Sequence, residues 1–154
     1  MISVGDALDR IFALVQPLAR EEVPLAEAAG RVLAADAVAR RAQPPFDAAA
    51  MDGYALRAEE VAPGATFRVV GEAPAGRRFA GRVGPGQTVR IFTGAPLPGG
   101  ANTVVIQEDT ERRGDQVTLC ASPGTGRHGR PPGADFAPGH RIAAPRRLRP
   151  ADIA

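Results

Sequence analysis

Proline and glycine set the strongest limit on what this chain can fold into. Eighteen Gly and fifteen Pro are spread through 154 residues, and prolines interrupt helix and sheet ladders while glycines supply sharp turns. Long helices are thereby excluded from most of the chain, which favours short strands joined by tight connections. Hydrophobic residues at 44% and charged residues at 23% match an ordinary folded domain rather than a disordered polymer. A chain of this length buries about 70% of its unfolded surface, enough for a genuine core.

One helix is expected, near the start. Ser3 and Asp6 stand at capping-box spacing, and Leu8, Ile11, Phe12 and Val15 share one helical face before Pro17 ends the pattern, which predicts a helix from Val4 to Val15 with that stripe turned inward. Val23 to Leu25 reads as a short strand, Ala26 to Ala29 as a brief helical segment ended by Gly30, and Arg31 to Val38 alternates as a strand does. Gln43-Pro44-Pro45-Phe46 then opens a different regime, since consecutive prolines continue neither helix nor sheet. Beyond it, apolar segments at Tyr54 to Arg57, Phe67 to Val70, Thr88 to Phe92, Thr103 to Gln107 and Val117 to Cys120 are separated by turn residues. That spacing predicts a compact antiparallel or barrel-like domain, with Arg113-Gly114-Asp115 as a hairpin turn. Ala121 to Gly133 reads as a loop, and Ile142 to Ala144 as a last strand rejoining the first domain. The fold class expected is α+β and β-rich: an elongated, discontinuous first domain of residues 1–46 and 136–154, with a β domain of residues 47–135 inserted. Leu148 to Ala154 begins like a helix, with Pro150 suited to its first turn. A larger architecture is expected to continue from there.

Charge excludes less than the pI near 9.4 suggests. Every cation is Arg, and the net charge is only +2. The excess lies in residues 121–154, which carry +4 against −2 for the rest. Those arginines lack interleaved aromatics or a helix-turn-helix or zinc-finger pattern, which argues against nucleic acid as partner. An RNA-binding β-barrel stays only as a third reading. Cys120 is the single cysteine, so no internal disulfide or multi-cysteine metal site is available, and it reads as a small buried strand residue. With neither a leader pattern nor a long apolar run, a cytoplasmic protein without membrane contact is expected.

Three polar constellations are candidates for chemistry. Met51-Asp52-Gly53-Tyr54 places a carboxylate in a sharp turn, where it either faces a cleft or serves the turn itself. In Arg90-Ile91-Phe92-Thr93-Gly94-Ala95-Pro96 a strand ends in Thr-Gly, whose backbone N–H groups either cradle an oxyanion or merely form a turn. Glu108-Asp109 and Asp135 supply carboxylates of the kind that suit Mg²⁺, at no spacing that specifies a site, and a solvated strand end is the better reading of the first two. His128 and His140 have no partner at ligand spacing.

Taken together, these segments resemble a known family. Asp47-Ala48-Ala49-Ala50-Met51-Asp52-Gly53-Tyr54-Ala55 is similar to the DNSAMDGYA signature of the MoeA-type molybdenum insertases, the molybdopterin molybdenumtransferases. Arg90 to Pro98, RIFTGAPLP, resembles their RIxTGAPxP, and Val104 to Glu108 their VVxQE. VPLAEAAGRVLAADAVA and the final RLRPADI also fit, so the resemblance spans the chain in order. It implies insertion of molybdate into the dithiolene of adenylylated molybdopterin with release of AMP, assisted by Mg²⁺. Carried over residue by residue, it implies catalytic roles for Asp52, Thr93 and Asp135, substrate binding by Gly53, Gly94 and Arg130, and a metal contact at Asp52. As partners it implies a nucleotide-binding α/β domain, following the point where this chain ends or acting in trans, and a possible homodimer.

The departures from the pattern define a competing reading. Ala48 and Ala49 stand where the family has Asn and Ser, removing an amide and a hydroxyl. Gly126 to Asp135 follows the family's GxxIRxxGED only in part, with Ala134 in place of Glu and prolines at 131 and 132, while Arg130 keeps a fork suited to phosphate or carboxylate. The isolated chain is accordingly expected to be incomplete as a catalyst. The alternative is a degenerate binding or interaction module that has kept the fold without the chemistry.

Overall fold

A computed structural model describes residues 2–16, 18–120 and 128–154. The predicted loop from Ala121 to Gly133 therefore lies outside the described residues as far as Arg127. The chain divides into two units, Met1–Ala37 with Arg141–Ala154, and Val38–His140. Residues 38–46 and 136–140, which proline content assigns to the first domain, thus fall in the inserted unit. Backbone bonding accounts for this: Gln43 donates to the Phe136 carbonyl at 2.9 Å, and Asp135 donates to that of Gln43 at 2.8 Å.

In the first unit, helix α1 spans Val4–Ala13. The Ser3 hydroxyl accepts from the Asp6 N–H, and the Asp6 carboxylate accepts from Ser3, closing the expected capping box. The inward-facing stripe is not found. Leu8, Ile11, Phe12 and Val15 are 46–67% exposed, and no residue of the helix is buried. Helical spacing fixes which side chains share a face but not what covers it. The expected strand at Val23 is absent, and a 3-10 turn occupies Leu25–Glu27 before Gly30, whose φ of 80° is the left-handed stop anticipated for it. The alternating stretch resolves into two short strands, β1 (Val32–Leu33) and β2 (Ala37–Val38). After the second unit the chain forms β11 (Arg141–Ile142), β12 (Arg146–Arg147), which pairs antiparallel with β1, and the four-residue helix α2 (Pro150–Ile153). Three of the six C-terminal arginines that kept an RNA-binding reading open form ion pairs here. Arg141 pairs with Asp36, while Arg146 and Arg149 both pair with Asp152.

The second unit holds β3 (Ala48–Ala49), β4 (Gly53–Leu56), β5 (Thr66–Ala73), β6 (Gln87–Ile91), β7 (Thr103–Ile106), β8 (Thr110–Arg113), β9 (Gln116–Leu119) and β10 (Gly129–Arg130). Six of them make one sheet in the order β7-β4-β6-β5-β9-β8, antiparallel except between β5 and β6. The connection between the two edge strands shows that this sheet curls. Edge strands of a flat six-stranded sheet would lie about 24 Å apart. Yet the end of β7 reaches the start of β8 through Gln107–Asp109 alone, a path of at most about 14 Å. Barrel-like curvature follows.

Residue alternation then sorts two cores. Tyr54 and Leu56 of β4 meet Phe67 of β5, Val105 of β7, and Val117 and Leu119 of β9. These strands are not all neighbours, so this cluster fills the inside of the curl. Ala55, Ile91 and Val104 point the opposite way, where Ala49, Val83 and Ala95 cover them. The hairpin turn is where it was expected, with Arg113 opposite Gln116 and Gly114 at φ 63°. Strand β8 has no sequence signal, being polar, and Cys120, expected to be buried, is exposed just past the end of β9. No helix among the described residues is long and apolar enough to cross a membrane.

Candidate functional site

Sheet topology dictates where the candidate residues gather. Because β4 runs antiparallel to both β6 and β7, Gly53 at its start lies opposite Ile91 and Ile106 at their ends. Asp52, Thr93 and Gln107 are the residues just outside those three ends, and they converge on one edge of the curl. The Thr93 N–H and hydroxyl both donate to Asp52 Oδ1, at 2.8 and 2.7 Å, and the Gln107 N–H donates to the Asp52 carbonyl at 3.1 Å. The two bonds from Thr93, backbone first, hold the Asp52 carboxyl below the usual aspartate range against an opposing desolvation, with a smaller contribution from the nearby Arg90 charge.

A second strand pair forms the adjoining wall. β3 pairs with β10, Ala48 opposite Arg130 and Ala49 opposite Gly129, and the Ala50 N–H donates to the His128 carbonyl. A recess of about 240 Å³ opens here, lined by Pro44, Phe46, Ala49, Thr93, Gly94 and Arg130 among others. Ala48 and Ala49 are both buried.

The candidate residues divide between these features. Asp52 and Thr93 are hydrogen-bonded to each other, and Thr93, Gly94 and Arg130 border one recess. Asp135 instead forms an ion pair with Arg130, and among the described residues it makes no hydrogen bond to Asp52 or Thr93. Gly53 is buried inside β4, where a Cβ would meet the Val105 carbonyl oxygen at 2.0 Å. What the geometry demands of it is the absence of a side chain.

Of the two readings left open for Thr93-Gly94, an oxyanion cradle or a structural turn, the hydrogen bonds fit the turn. The Thr93 N–H is held by Asp52, and the Gly94 N–H donates to the Ala49 carbonyl at 2.8 Å. Neither is aimed outward, because both tie this loop to its neighbours. The Thr93 hydroxyl has likewise spent its one proton on Asp52, so it presents only lone pairs. The Asp52–Thr93 pair is therefore an acceptor site suited to a cation or a donor group, and Arg130 is the cationic group of the recess. Oxygen acceptors suit Mg²⁺, but no group of three His, Cys, Asp or Glu able to hold a metal occurs among the described residues. A cation here would need further oxygens from elsewhere.

Reading the residues in order passes over Arg90. It lies opposite Tyr54 in the β4–β6 register, with its guanidinium carbon 5.3 Å from the Tyr54 ring centre and 4.7 Å from that of Phe92. It donates to the Gly53 carbonyl at 3.0 Å and to Gln107 Oε1 at 2.5 Å. Arg90 and Gln107 both sit inside motifs quoted above, but an Arg between Val89 and Ile91 reads as a solvent-facing strand position.

Residues 2–154 match the family model for the MoeA N-terminal region, domains I and II. The chain belongs to this family. Over its whole length it is 37% identical to a molybdopterin molybdenumtransferase of Nostoc sp., covering 38% of that protein. It is 42% identical over 78% of its length to molybdopterin molybdenumtransferase 2 of Mycobacterium tuberculosis, of which it covers 31%. A crystal structure of the molybdopterin biosynthesis MoeA protein from Pyrococcus horikoshii superposes with a TM-score of 0.78 at 38% identity, over 86% of this chain and 37% of that one. The chain thus spans about a third of its relatives' length, 31–38%, and this MoeA N-terminal region is the part that carries the Asp52 turn and the Thr93 loop.

Proposed function

We propose that this chain serves molybdenum cofactor biosynthesis in the cytoplasm, as the N-terminal part of a molybdopterin molybdenumtransferase. The reaction inserts molybdate into the dithiolene of adenylylated molybdopterin and releases AMP. The observation that carries this reading is the hydrogen-bonded Asp52–Thr93 pair beside a recess bearing Arg130, in a chain whose relatives bear that name.

The chemistry of the groups assigns their work. Asp52, ionised and oriented by Thr93, accepts from donor groups of the pterin nucleotide. With Thr93 Oγ1 it is also the place where Mg²⁺ would be held, provided phosphate oxygens complete the shell; that ion would neutralise charge on the departing phosphate. Arg130 is the group to meet an anion, and Asp135 holds its fork in place until one arrives. Molybdate itself is repelled by Asp52, so its donors belong to a partner α/β domain or to a second subunit across a homodimer. Mixing the chain with a nucleotide-binding α/β partner, adenylylated molybdopterin and molybdate should release AMP. Absence of release with a partner shown to bind the nucleotide would contradict the reading.

The degenerate-module alternative draws on one observation. Ala48 and Ala49 are packed into the protein where the related motif has polar groups. On that reading Ala48→Asn, Ala49→Ser and Ala134→Glu together leave partner binding unchanged and create no turnover. A gain of AMP release would dismiss it.

A further inference from the structure

The geometry points to Arg90 as a positioning residue that ties the Asp52 turn to the end of β7 through one hydrogen bond to the Gly53 carbonyl and one to the Gln107 side chain. This deepens the proposed function and rests on it for its catalytic meaning. The carbonyls of Asp52 and Gly53 flank the junction with β4, and each is tied down by the same arrangement. The Gly53 carbonyl accepts from Arg90 Nη1 at 3.0 Å. The Asp52 carbonyl accepts at 3.1 Å from the N–H of Gln107, whose side-chain oxygen in turn accepts from Arg90 Nη2. One planar fork therefore bridges the end of β7 to the start of β4, from a position three residues before Thr93.

The guanidinium is itself held by Tyr54 and Phe92, whose faces both lie within cation–π range. Tyr54 is almost wholly buried, so the clamp rests against the inner core on that side, while Arg90 is half-buried and Gln107 is exposed. Only Arg meets these demands, because its donors are fixed in one plane and can reach two acceptors while stacking, whereas a Lys ammonium is a point donor without a stacking face. Arg90 acts on the Asp52 carboxylate at a distance through its charge, while its hydrogen bonds act on the turn through the Gly53 carbonyl and Gln107.

Amide hydrogen exchange on the full 154-residue chain separates positioning from general support. The N–H groups of Thr93 and Gln107 report the Asp52 turn, because Asp52 accepts from both. The Gly94 N–H, bonded to the Ala49 carbonyl, is the adjacent control. Arg90→Met keeps the stem and removes the fork. It should speed exchange about tenfold or more at Thr93 and Gln107, the loss expected of a charged hydrogen bond, with less than about a twofold change at Gly94. Arg90→Lys should recover part of that protection. Equal acceleration at all three amides, or none, would overturn the proposal. Should Arg90→Met fail to fold, Gln107→Ala tests the same bridge: Thr93 exchange rises severalfold, and an unchanged rate counts against the idea. Since these readouts need no turnover, positioning can hold while the wild-type chain and its partner release no AMP, which would fault the proposed function alone.

Discussion

Gly53→Ala tests how tightly the site's foundation is built. A Cβ at this position would lie 2.0 Å from the Val105 carbonyl oxygen, 2.8 Å from its carbon and 3.0 Å from Ile106 Cα. All three are backbone atoms, so no rotamer change relieves the clash. Carbon–oxygen contacts settle at roughly 3.3 Å or more, so β7 must retreat from β4 by about 1 Å where the ladder supports the Asp52 turn. Overpacking costs about 1–3 kcal/mol and sometimes more, and an immovable neighbour places this substitution at the upper end, about 3 kcal/mol. For a chain of this size that lowers Tm by about 6–12 °C. Tyr54 is the only tyrosine, there is no Trp, and Tyr54 is 4% exposed, so its near-UV dichroism follows the unfolding of the second unit alone. Gly94→Ala is the comparison. Its φ of 80° costs an ordinary residue about 1–2 kcal/mol, yet nothing lies within 4 Å of the added carbon. A Gly53→Ala protein melting within about 2 °C of wild type, or no lower than Gly94→Ala, would refute the claim that β7 closes over this position.

Two buried threonines should respond oppositely to the same change. Thr88→Val removes the bond from its hydroxyl to the Ala55 carbonyl, 2.9 Å, and costs about 1 kcal/mol, whereas Thr103→Val removes a buried hydroxyl that has no partner among the described residues and is neutral or stabilising in urea titrations followed at Tyr54. If both lose stability alike, the hydroxyl of Thr103 is satisfied after all. Asp52 titrates below the usual aspartate value of about 3.9 when folded, so its contribution is complete above that value and disappears as pH falls through the lower folded one. The urea midpoint of Asp52→Asn should therefore lie below wild type at pH 6 and approach it near pH 2; a gap that stays constant across that range would contradict the Thr93 bonds as its source. Ser3→Ala breaks the capping box and should cost α1 about 1 kcal/mol in far-UV helicity without moving the Tyr54 transition, because no residue of α1 is buried.

What could be read from the chain, and what could not, follows from the range of each interaction. Strands β4, β6, β7 and β9 were legible because their apolar residues had to be buried on at least one face. Strand β8 was not, because an edge strand of Thr110, Glu111, Arg112 and Arg113 gains its pairing from β9 and leaves no apolar trace. The α1 stripe exposed the limit of periodicity, which shows that a face is apolar without showing what meets it. The Thr93-Gly94 loop stayed open for another reason: its glycine and hydroxyl permit an anion cradle or a turn alike, and the acceptors that take those N–H groups, Asp52 and Ala49, lie more than forty positions earlier. Conversely, the convergence of Asp52, Thr93 and Gln107 needs only one long-range fact. Once β4 is known to run antiparallel between β6 and β7, its start must adjoin both their ends, and three separate sequence motifs become one edge of a sheet. Arg90 is legible only after that step, since its importance lies in bridging strand ends whose adjacency no local pattern encodes.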